Sequence, residues 1–582
     1  MLVSSIYKAT LLMACSTVAL GQKRQGEVLP DFNWTSITPS RDLRYHNCYN
    51  GYRCARLQVP LDWTKAGIDT DESSTSWVVI GIATLPAIVP DTDPSFGGSV
   101  LINPGGPGGP GTDIALTFGK YLQGIIDGEK HYEILGFDPR GVGRTTPSAS
   151  CYVDDLSRLA DISQRGGLPP VVAGELGLNL HYQAAVGLGE LCGQQKTNTS
   201  AGQDDSSVFS HMSTASVARD MLEIVERADA LRNTNASAAG RNVTANKKHK
   251  PLLQYWGTSY GTVLGNTFAS MFPDRVGRMV LDSVADADDY TSGLWRKNLM
   301  DVEIIADRFY QTCFDAGNLC PLRQGHDQEA ADVRKRVDSF VRSLETNPLP
   351  AAQGGRVRLL TSALVRETIR QALYSPVCSF EPLASALAES ILAGNHTTIL
   401  AAGGVLCTRI PRDHVPVSCA WCGEAAFGIL CGDSAATATQ RVRNVSWARE
   451  EVDILQQQSP TAGEPWTRVP LACVDWQFKP KHAFTGPFES TTPLLILSNR
   501  YDPATPLANA YALSRNHKGS AVVVQESYGH SAVITSTSNC TAQIVREYFS
   551  SGKLPANGTS CEADCPASIP FKPCPGIFPR VT

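Results

Sequence analysis

The sequence predicts an α/β fold, with a mostly parallel, doubly wound sheet and an inserted helical cap. Short apolar segments with strand character alternate with stretches of helical periodicity through the first half of the chain. This alternation is typical of parallel sheets, because each parallel strand needs a crossover connection to the next. From about residue 292 to 458 helices and loops replace the strands, and strand patterns resume near residue 493.

The individual elements follow from these patterns. An edge strand is expected around residues 54–61, and further strands are expected at residues 76–88, 99–103, 132–138, 252–256, 278–282, 493–497 and, as the last one, 520–525. Helices of the core are expected at residues 114–126, 181–192, 214–231, 262–272 and 539–549. The cap should contain helices at residues 302–314, 330–344, 360–373, 383–392 and 436–457, with no clear strand.

Five segments result from this organisation. We expect a signal peptide at residues 1–21, the first part of the core at 22–291, a helical cap at 292–465, the second part of the core at 466–552 and a Cys/Pro-rich tail at 553–582. Length alone allows either several domains or one large α/β unit with insertions.

The N-terminus resembles a secretory signal. Lys8 precedes an apolar stretch that is too short to span a bilayer and ends in small residues at Gly21. The alternative is an N-terminal core helix. The pair Lys23-Arg24 is either a dibasic processing site or an ordinary surface pair. We therefore expect a secreted, extracellular protein with no membrane-spanning segment in its mature form.

Cysteine usage agrees with secretion. Of 17 cysteines, Cys15 lies in the predicted signal, and the even number that remains is typical of disulfides in an oxidising compartment. The pairs Cys48/Cys54 and Cys313/Cys320 are candidate local bridges. A further cluster suggests disulfides rather than a zinc site, given its spacing and compartment; it comprises Cys407, Cys419, Cys422 and Cys431.

Glycosylation sequons are frequent in the polar parts of the chain. The Asn-x-Ser/Thr pattern starts at Asn33, Asn198, Asn235, Asn242, Asn395, Asn444, Asn539 and Asn557. A glycosylated surface is the expectation that follows for a secreted chain.

Composition narrows the range of partners. The 582 residues are 42% hydrophobic and 18% charged, with a formal net charge of −5. This small net charge gives no reason to expect nucleic acid or an anionic membrane as a partner. We also expect no metal and no organic cofactor.

A Gly-x-Ser-x-Gly sequence is the candidate nucleophile site. Ser259 stands between Gly257 and Gly261, with a strand pattern before it and a helix pattern after it. Such a strand-to-helix turn is tight enough to need glycine on both sides, and it raises the serine hydroxyl above the sheet edge. The alternative is a glycine-rich structural turn.

Eight consecutive Gly and Pro residues, 104–111, follow the strand at 99–103. A flexible linker is unexpected directly after a buried strand, so we favour a rigid loop whose N–H groups bind an anion. The expected oxyanion donors are the backbone N–H groups of Tyr260 and of Gly106 in the Gly105-Gly106 turn.

Two further residues complete a candidate catalytic set. Asp502 and His530 each follow a predicted strand, and the chain order Ser, Asp, His is that of a Ser-His-Asp triad on a parallel α/β sheet. Loops at the carboxyl ends of such strands converge on the ligand crevice. Asp282, at the end of the preceding strand, is the rival acid. We expect Asp138 and Arg140 to form a structural ion pair beside the site.

Several motifs together resemble one family. They are Asn-Pro-Gly-Gly-Pro-Gly-Gly-Pro-Gly, Gly-Phe-Asp-Pro-Arg-Gly-Val-Gly, Tyr-Trp-Gly-Thr-Ser-Tyr-Gly-Thr-Val-Leu-Gly, Phe-Pro-Asp-Arg-Val and Asp-Pro-Ala-Thr-Pro, in this order. The chain from about residue 54 to 549 is thereby similar to the tripeptidyl aminopeptidase-like α/β-hydrolases, relatives of the prolyl iminopeptidases. The resemblance implies the α/β-hydrolase fold, with residues 466–552 as the TAP-like C-terminal segment, and a triad at Ser259, Asp502 and His530.

The resemblance also implies an activity. Members release short peptides or single residues from free N-termini, with the cap recognising the ammonium group, and acidic residues of the cap or near Asp286 are candidates for that contact. One departure is Ser283, which stands where the family has Gly in Leu-Asp-Gly-Val. We expect a secreted serine aminopeptidase. An esterase, lactonase or amidase of a small metabolite with the same triad is the alternative, and a binding protein on an inactive scaffold is a third hypothesis.

Overall fold

The strands of the core form one large sheet. The computed structural model describes residues 32–65, 76–196, 207–240, 250–353, 355–402, 423–437 and 443–565. Within these ranges ten strands pair in the order β1-β2-β3-β5-β4-β6-β7-β10-β11-β12. Their bounds are β1 His46–Cys48, β2 Tyr52–Pro60, β3 Trp77–Leu85, β4 Phe96–Asn103, β5 His131–Phe137, β6 Leu253–Ser259, β7 Val276–Val284, β10 Leu495–Tyr501, β11 Ala521–Tyr528 and β12 Thr559–Glu562.

The sheet is antiparallel at one side and parallel through the rest. Strands β1, β2, β3 and β5 pair antiparallel, and every pairing from β5 to β12 is parallel. The prediction of a mostly parallel sheet is therefore confirmed. In this arrangement β4, β6, β7, β10 and β11 carry their carboxyl ends to the same edge.

Helices cover both faces of the sheet. The helices are α1 Gly111–Ile126, α2 Asp155–Gly166, α3 Gly174–Gly193, α4 Thr214–Ala238, α5 Tyr260–Met271, α6 Ala287–Ser292, α7 Val302–Asp315, α8 Ala330–Thr346, α9 Ser362–Ala372, α10 Pro376–Leu392, α11 Thr397–Ala402, α12 Gly423–Thr437, α13 Val445–Gln458, α14 Gly463–Trp466, α15 Arg468–Leu471, α16 Leu507–Asn516 and α17 Asn539–Ser551. Within the described part of the chain, none of them has the length and apolar character to cross a membrane.

Alternating side chains of the strands separate two hydrophobic layers. On β4, Ile102 packs in the layer that α1 and α17 cover, whereas Leu101 packs in the layer that α4, α5 and α16 cover. A third buried cluster joins α7 to α11 with Leu455 and Trp466 and forms the interior of the cap. The cap therefore has its own core, separate from the two layers of the sheet.

Four expectations for individual elements are wrong. Residues 54–61, expected to form an edge strand, lie largely in β2, which pairs with both β1 and β3. The cap was expected to have no clear strand, but it contains an antiparallel hairpin, β8 Leu349–Gln353 with β9 Arg356–Leu360. The two segments form strands because they hydrogen-bond to each other, and the strand propensity of each segment alone does not show this pairing. The single helix predicted at residues 436–457 is wrong, because this range contains the end of α12 and, separately, α13. Helix α13 begins after Asn444, whose side chain caps it by accepting the Trp447 N–H. The strand at 520–525 is not the last, since β12 pairs with β11.

Disulfides lie where short loops or neighbouring elements bring cysteines together. Both predicted local bridges, Cys48–Cys54 and Cys313–Cys320, are confirmed. Further bridges within the described residues are Cys151–Cys192, Cys431–Cys473 and Cys540–Cys561. Cys431 of the predicted disulfide cluster is thus bridged, while residues 407, 419 and 422 lie outside the described ranges.

Candidate active site

Ser259 occupies a strained turn between β6 and α5. Its backbone has φ 60° and ψ −127°, a conformation that non-glycine residues rarely adopt. A Cβ on Gly257 would lie 2.3 Å from the Gly261 carbonyl oxygen, so glycine is required there. These contacts are the ones that a nucleophile elbow needs, and the turn is held by steric exclusion on both sides.

The Gly/Pro loop lies directly against this turn. A Cβ on Gly105 would lie 2.8 Å from both Ser259 Cβ and the Tyr260 nitrogen, so the two backbones meet closely. The Asn103 side-chain oxygen accepts from the Gly105 N–H at 2.9 Å and orients the turn. Gly106 follows with φ 111°. Tyr260 is the first residue of α5, so its N–H has no acceptor within the helix.

Asp502 and His530 form a buried pair. Nδ1 of His530 lies 2.9 Å from Oδ1 and 3.0 Å from Oδ2 of Asp502. The carboxylate also accepts the N–H groups of Ala504 and Thr505, each at 2.8 Å, and is fully buried. These bonds hold Asp502 in the loop after β10 and aim its carboxylate at the imidazole.

The rival acid binds elsewhere. Asp282, at the end of β7, accepts from the Ser531 hydroxyl at 2.6 Å and from the Ala532 N–H at 2.8 Å. It makes no hydrogen bond to the His530 ring, whose Nδ1 contacts Asp502 and Thr505. The His530 ring therefore pairs with Asp502, whereas Asp282 binds the loop that follows the histidine.

Ser259 and His530 lie at the same edge of the sheet. Ser259 lies opposite Val284 in the β6–β7 pairing, and the Ser531 N–H donates to the neighbouring Ser283 hydroxyl at 2.9 Å. Within the described residues, neither Oγ of Ser259 nor Nε2 of His530 makes a hydrogen bond. Both atoms are free to engage a substrate or each other.

Opposing effects act on the charge of His530. Burial favours the neutral ring, but the Asp502 carboxylate, its hydrogen bond and the charge of Asp282 outweigh burial, and together they raise the pKa of His530 above its ordinary value. A histidine of this kind is a stronger base than an isolated one. The arrangement can therefore take a proton from a hydroxyl and hold it.

Three residues around this pair were missed in the sequence. The Thr505 hydroxyl donates to Asp502 Oδ2 at 2.8 Å and lies 3.1 Å from His530 Nδ1; its position within Asp-Pro-Ala-Thr-Pro could have revealed it. Tyr374 accepts the His530 N–H through its carbonyl at 2.8 Å and places its ring edge against the imidazole. Asp301, in the cap, accepts the Asp502 N–H at 3.1 Å. The last two have no local sequence signal.

A polar network fixes the side chain of Tyr260. Its hydroxyl lies 2.6 Å from the Thr214 hydroxyl, which also donates to Asp433 of α12 at 2.5 Å. The Tyr290 hydroxyl donates to the same carboxylate at 2.7 Å. Burial raises the pKa of Asp433 to about 6 against these hydrogen bonds. Tyr260, the residue after Ser259, is thereby hydrogen-bonded through Thr214 to helix α12.

The predicted ion pair between Asp138 and Arg140 is wrong. Arg140 pairs with the buried Asp220, at 2.6 Å from its Nε, since both side chains are withdrawn from solvent on the α4 side. Asp138 accepts the N–H groups of Thr112 and Arg144 at 2.9 and 2.7 Å. Both residues remain structural, as expected.

The acidic stretch after β7 is also engaged. Asp286 accepts the Asp289 N–H as the N-cap of α6 and pairs with Lys297 at 2.6 Å. No cluster of three or more His, Cys, Asp or Glu side chains that could hold a metal occurs within the described ranges.

The sequon asparagines that the structure describes are all exposed: Asn33, Asn235, Asn395, Asn444, Asn539 and Asn557. Asn198 and Asn242 lie outside the described residues. Exposure makes the six described side chains accessible, although Asn444 also caps α13 and Asn235 donates to Asp91 at 2.7 Å.

Comparison with known proteins agrees with this architecture. The family described as "alpha/beta hydrolase fold" matches residues 98–319, and the family described as "TAP-like protein" matches residues 459–561. The first match contains the elbow, and the second contains Asp502 and His530.

Two relatives are similar over most of the chain, and a third is similar over a short part of it. Serine protease Hip1 of Mycobacterium tuberculosis is 26% identical over 571 residues, 95% of this chain and 95% of that protein. Tripeptidyl aminopeptidase of Streptomyces lividans is 25% identical over 472 residues, 80% of this chain and 76% of that protein. Carboxylesterase B of Mycobacterium tuberculosis is 30% identical over 131 residues, 22% of each chain. The chain therefore belongs to the TAP-like α/β hydrolases and is a serine hydrolase.

Proposed function

We propose that this protein is a secreted serine peptidase that removes short peptides from free N-termini. The proposal rests on one structural observation above all. A serine at a strained elbow and a buried Asp502–His530 pair reach the same edge of the sheet. The long relatives named serine protease and tripeptidyl aminopeptidase support peptides as the substrate class.

In the first step, Ser259 Oγ attacks the scissile carbonyl while His530 Nε2 takes its proton. Asp502 holds Nδ1–H and stabilises the imidazolium that forms. The negative charge that develops on the carbonyl oxygen is received by the N–H groups of Tyr260 and Gly106, which the close contact of Gly105 with the elbow brings together. His530 then gives its proton to the leaving amine.

In the second step, water hydrolyses the acyl-enzyme. His530 Nε2 takes a proton from the water, the hydroxide attacks the ester carbonyl, and Ser259 leaves with the proton that His530 returns. The products are a short peptide with a new carboxylate and the regenerated enzyme. No group beyond the described side chains and water is needed for this balance.

Recognition of a free N-terminus requires a negative side chain in the cap. Asp301 meets this need, since it is half-buried at the start of α7 and contacts the Asp502 backbone. Burial and the charge of Asp502 raise the pKa of Asp301 to about 6, against the hydrogen bond from Asp502. An ammonium group beside it would stabilise its charged form. Asp301→Asn should raise KM for peptides with a free amine and leave Ser259-dependent ester hydrolysis unchanged.

Hydrolysis of a small ester is the second candidate function. It is favoured only by the relative named carboxylesterase, which matches a short part of the chain. The fold and the triad do not determine the leaving group, so an experiment must distinguish peptide hydrolysis from ester hydrolysis.

The test compares a tripeptidyl fluorogenic amide, its N-acetylated form and a simple acyl ester, with Ser259→Ala as control. Cleavage of the free amide alone, lost in Ser259→Ala, supports the aminopeptidase. Cleavage of the ester alone supports the second candidate. Equal activity in Ser259→Ala contradicts both.

Secretion is supported by the N-terminal pattern and by the disulfides within the described residues. N-terminal sequencing of the protein recovered from the medium should begin at Gln22 or after Arg24. Recovery only inside cells, with Met1 intact, would contradict secretion.

A further inference from the structure

Asp282 holds the loop that follows His530. Its two carboxylate oxygens accept from the Ser531 hydroxyl and the Ala532 N–H, at 2.6 and 2.8 Å. The next residue, Ser283, accepts the Ser531 N–H at 2.9 Å. Asp282, Ser283 and Ser531 are all buried. The two residues directly after the histidine are thus bound by Asp282 and Ser283, near the carboxyl end of β7.

Both sides of this contact have strained backbones. Ser283 has φ 60° and Ser531 has φ 82°, values that disfavour side chains other than glycine. Glycine at position 283 would adopt this backbone conformation more readily. The Ser283 hydroxyl accepts the Ser531 N–H, which glycine could not do. This hydrogen bond offsets part of the backbone strain at Ser283.

Other charged and titratable groups lie near His530 within the part of the chain that the structure describes. Asp502 contacts its ring, Asp301 contacts the Asp502 backbone, and the Tyr374 ring packs against the imidazole. Burial, followed by the charge of the nearby Asp282 carboxylate, raises the pKa of Tyr121. Burial raises the pKa of Asp282 to about 6, while the nearby His530 favours its charged form.

We propose that Asp282 is a positioning residue for His530, a second carboxylate that fixes the imidazole between Asp502 and Ser259 and supports its protonated form. The proposal rests on the proposed function. Under it, Asp282 is not the acid of the triad but has a different role in the same reaction. Asp502 holds the ring itself, whereas Asp282 holds the backbone from which the ring extends and adds charge at a distance.

Asp282→Asn tests the charge. Asparagine has the same shape and can keep the Ala532 hydrogen bond, so the fold should survive. Loss of the charge lowers the pKa of His530, so the acidic limb of the kcat/KM profile should shift to lower pH, and kcat should fall about tenfold as the ring position relaxes. Asp138→Asn is the matched control, a buried carboxyl whose pKa burial also raises to about 6. It should leave the limb in place.

Ser531→Ala tests the hydrogen bond separately, since it leaves the Asp282 charge intact. We expect a lower kcat with the acidic limb unmoved. If Asp282→Asn has the wild-type kcat and the wild-type acidic limb of kcat/KM, the proposal is overturned. If Asp282→Asn does not fold, an unchanged kcat in Ser531→Ala overturns it.

An NMR titration of the His530 ring in wild type and Asp282→Asn gives a readout that does not require activity. A lower pKa in the variant supports the proposal, and an identical pKa contradicts it. If wild type shows no Ser259-dependent hydrolysis, the proposed function fails, and this titration still decides the role of Asp282.

Discussion

The two halves of the site are held by different forces. On the nucleophile side, Ser259 is held by close backbone contacts, such as the 2.3 Å approach that a Gly257 Cβ would make to Gly261. On the acid–base side, His530 and Asp502 are held by hydrogen bonds and buried charge. The first half therefore depends on shape, and the second depends on protonation.

This difference implies two kinds of sensitivity. A methyl group added at the elbow should damage the fold at any pH, because overpacking of a backbone contact does not depend on charge. Removal of a carboxylate near His530 should leave the fold intact and change the rate and its pH dependence. Each prediction below probes one side of this comparison.

The largest effect is expected for Asp502→Asn. The amide cannot stabilise the imidazolium and favours the wrong tautomer of His530, so kcat should fall about 10⁴-fold while Tm changes little. Steady-state kinetics on the tripeptidyl amide measures this. Asp274→Asn, on the exposed Lys250 pair, is the control and should behave as wild type. A loss below tenfold in Asp502→Asn would remove Asp502 from the catalytic set.

Gly257→Ala should destabilise the fold by about 3 kcal/mol or more, because the new methyl group meets a backbone carbonyl. Gly124→Ala is the matched control: it lies in α1, is exposed and has no heavy atom within 4 Å of a new Cβ. The control should be stabilised by about 0.5 to 1 kcal/mol. Thermal or urea unfolding measures both, and equal stability of the two variants would contradict the steric account.

The pH dependence of kcat/KM probes the acid–base half of the site, His530 and Asp502. Since Asp502 and Asp282 raise the pKa of His530 above its ordinary value despite burial, the neutral base is lost at a higher pH than for a free histidine. The acidic limb of kcat/KM should lie above about 6.5. Below the limb the rate should fall about tenfold per pH unit. A limb below the ordinary histidine value would contradict this assignment.

The smallest effect is expected for Asp433→Asn. Because burial raises the pKa of Asp433 to about 6, ionising it costs stability as pH rises through that value. The Tm of the variant relative to wild type should therefore be more favourable at pH 7.5 than at pH 5, by on the order of 1 °C. Scanning calorimetry at both values measures the difference. The opposite sign would mean that the charged carboxylate stabilises the Tyr260 network.

Much of the core follows from local patterns. Strand β3, Trp77–Leu85, lies within residues 76–88, where the sequence predicts a strand, and the Gly-x-Ser-x-Gly pattern indicated the turn at Ser259. Buried parallel strands are readable because their apolar runs are short and bounded by turns. The cap hairpin was not predicted, since β9 is a short strand directly before the predicted helix at residues 360–373 and pairs only with β8 among the described strands.

The positions of the three candidate residues could be predicted from the sequence, but the contacts that support them could not. Ser259, Asp502 and His530 each follow a strand, and a parallel sheet brings such ends together. Asp301 and Tyr374 come from the cap, and their contacts with the Asp502 and His530 backbones depend on how the cap packs. The separation of roles between Asp282 and Asp502 required the hydrogen bonds themselves.

Covalent labelling tests the central claim most directly. A fluorophosphonate probe should form one adduct on Ser259, located by peptide mass spectrometry. The adduct should disappear in Ser259→Ala and form far more slowly in His530→Ala, because the histidine activates the hydroxyl. An adduct on another residue, or equal labelling in Ser259→Ala, would contradict the assignment of this elbow as the active site.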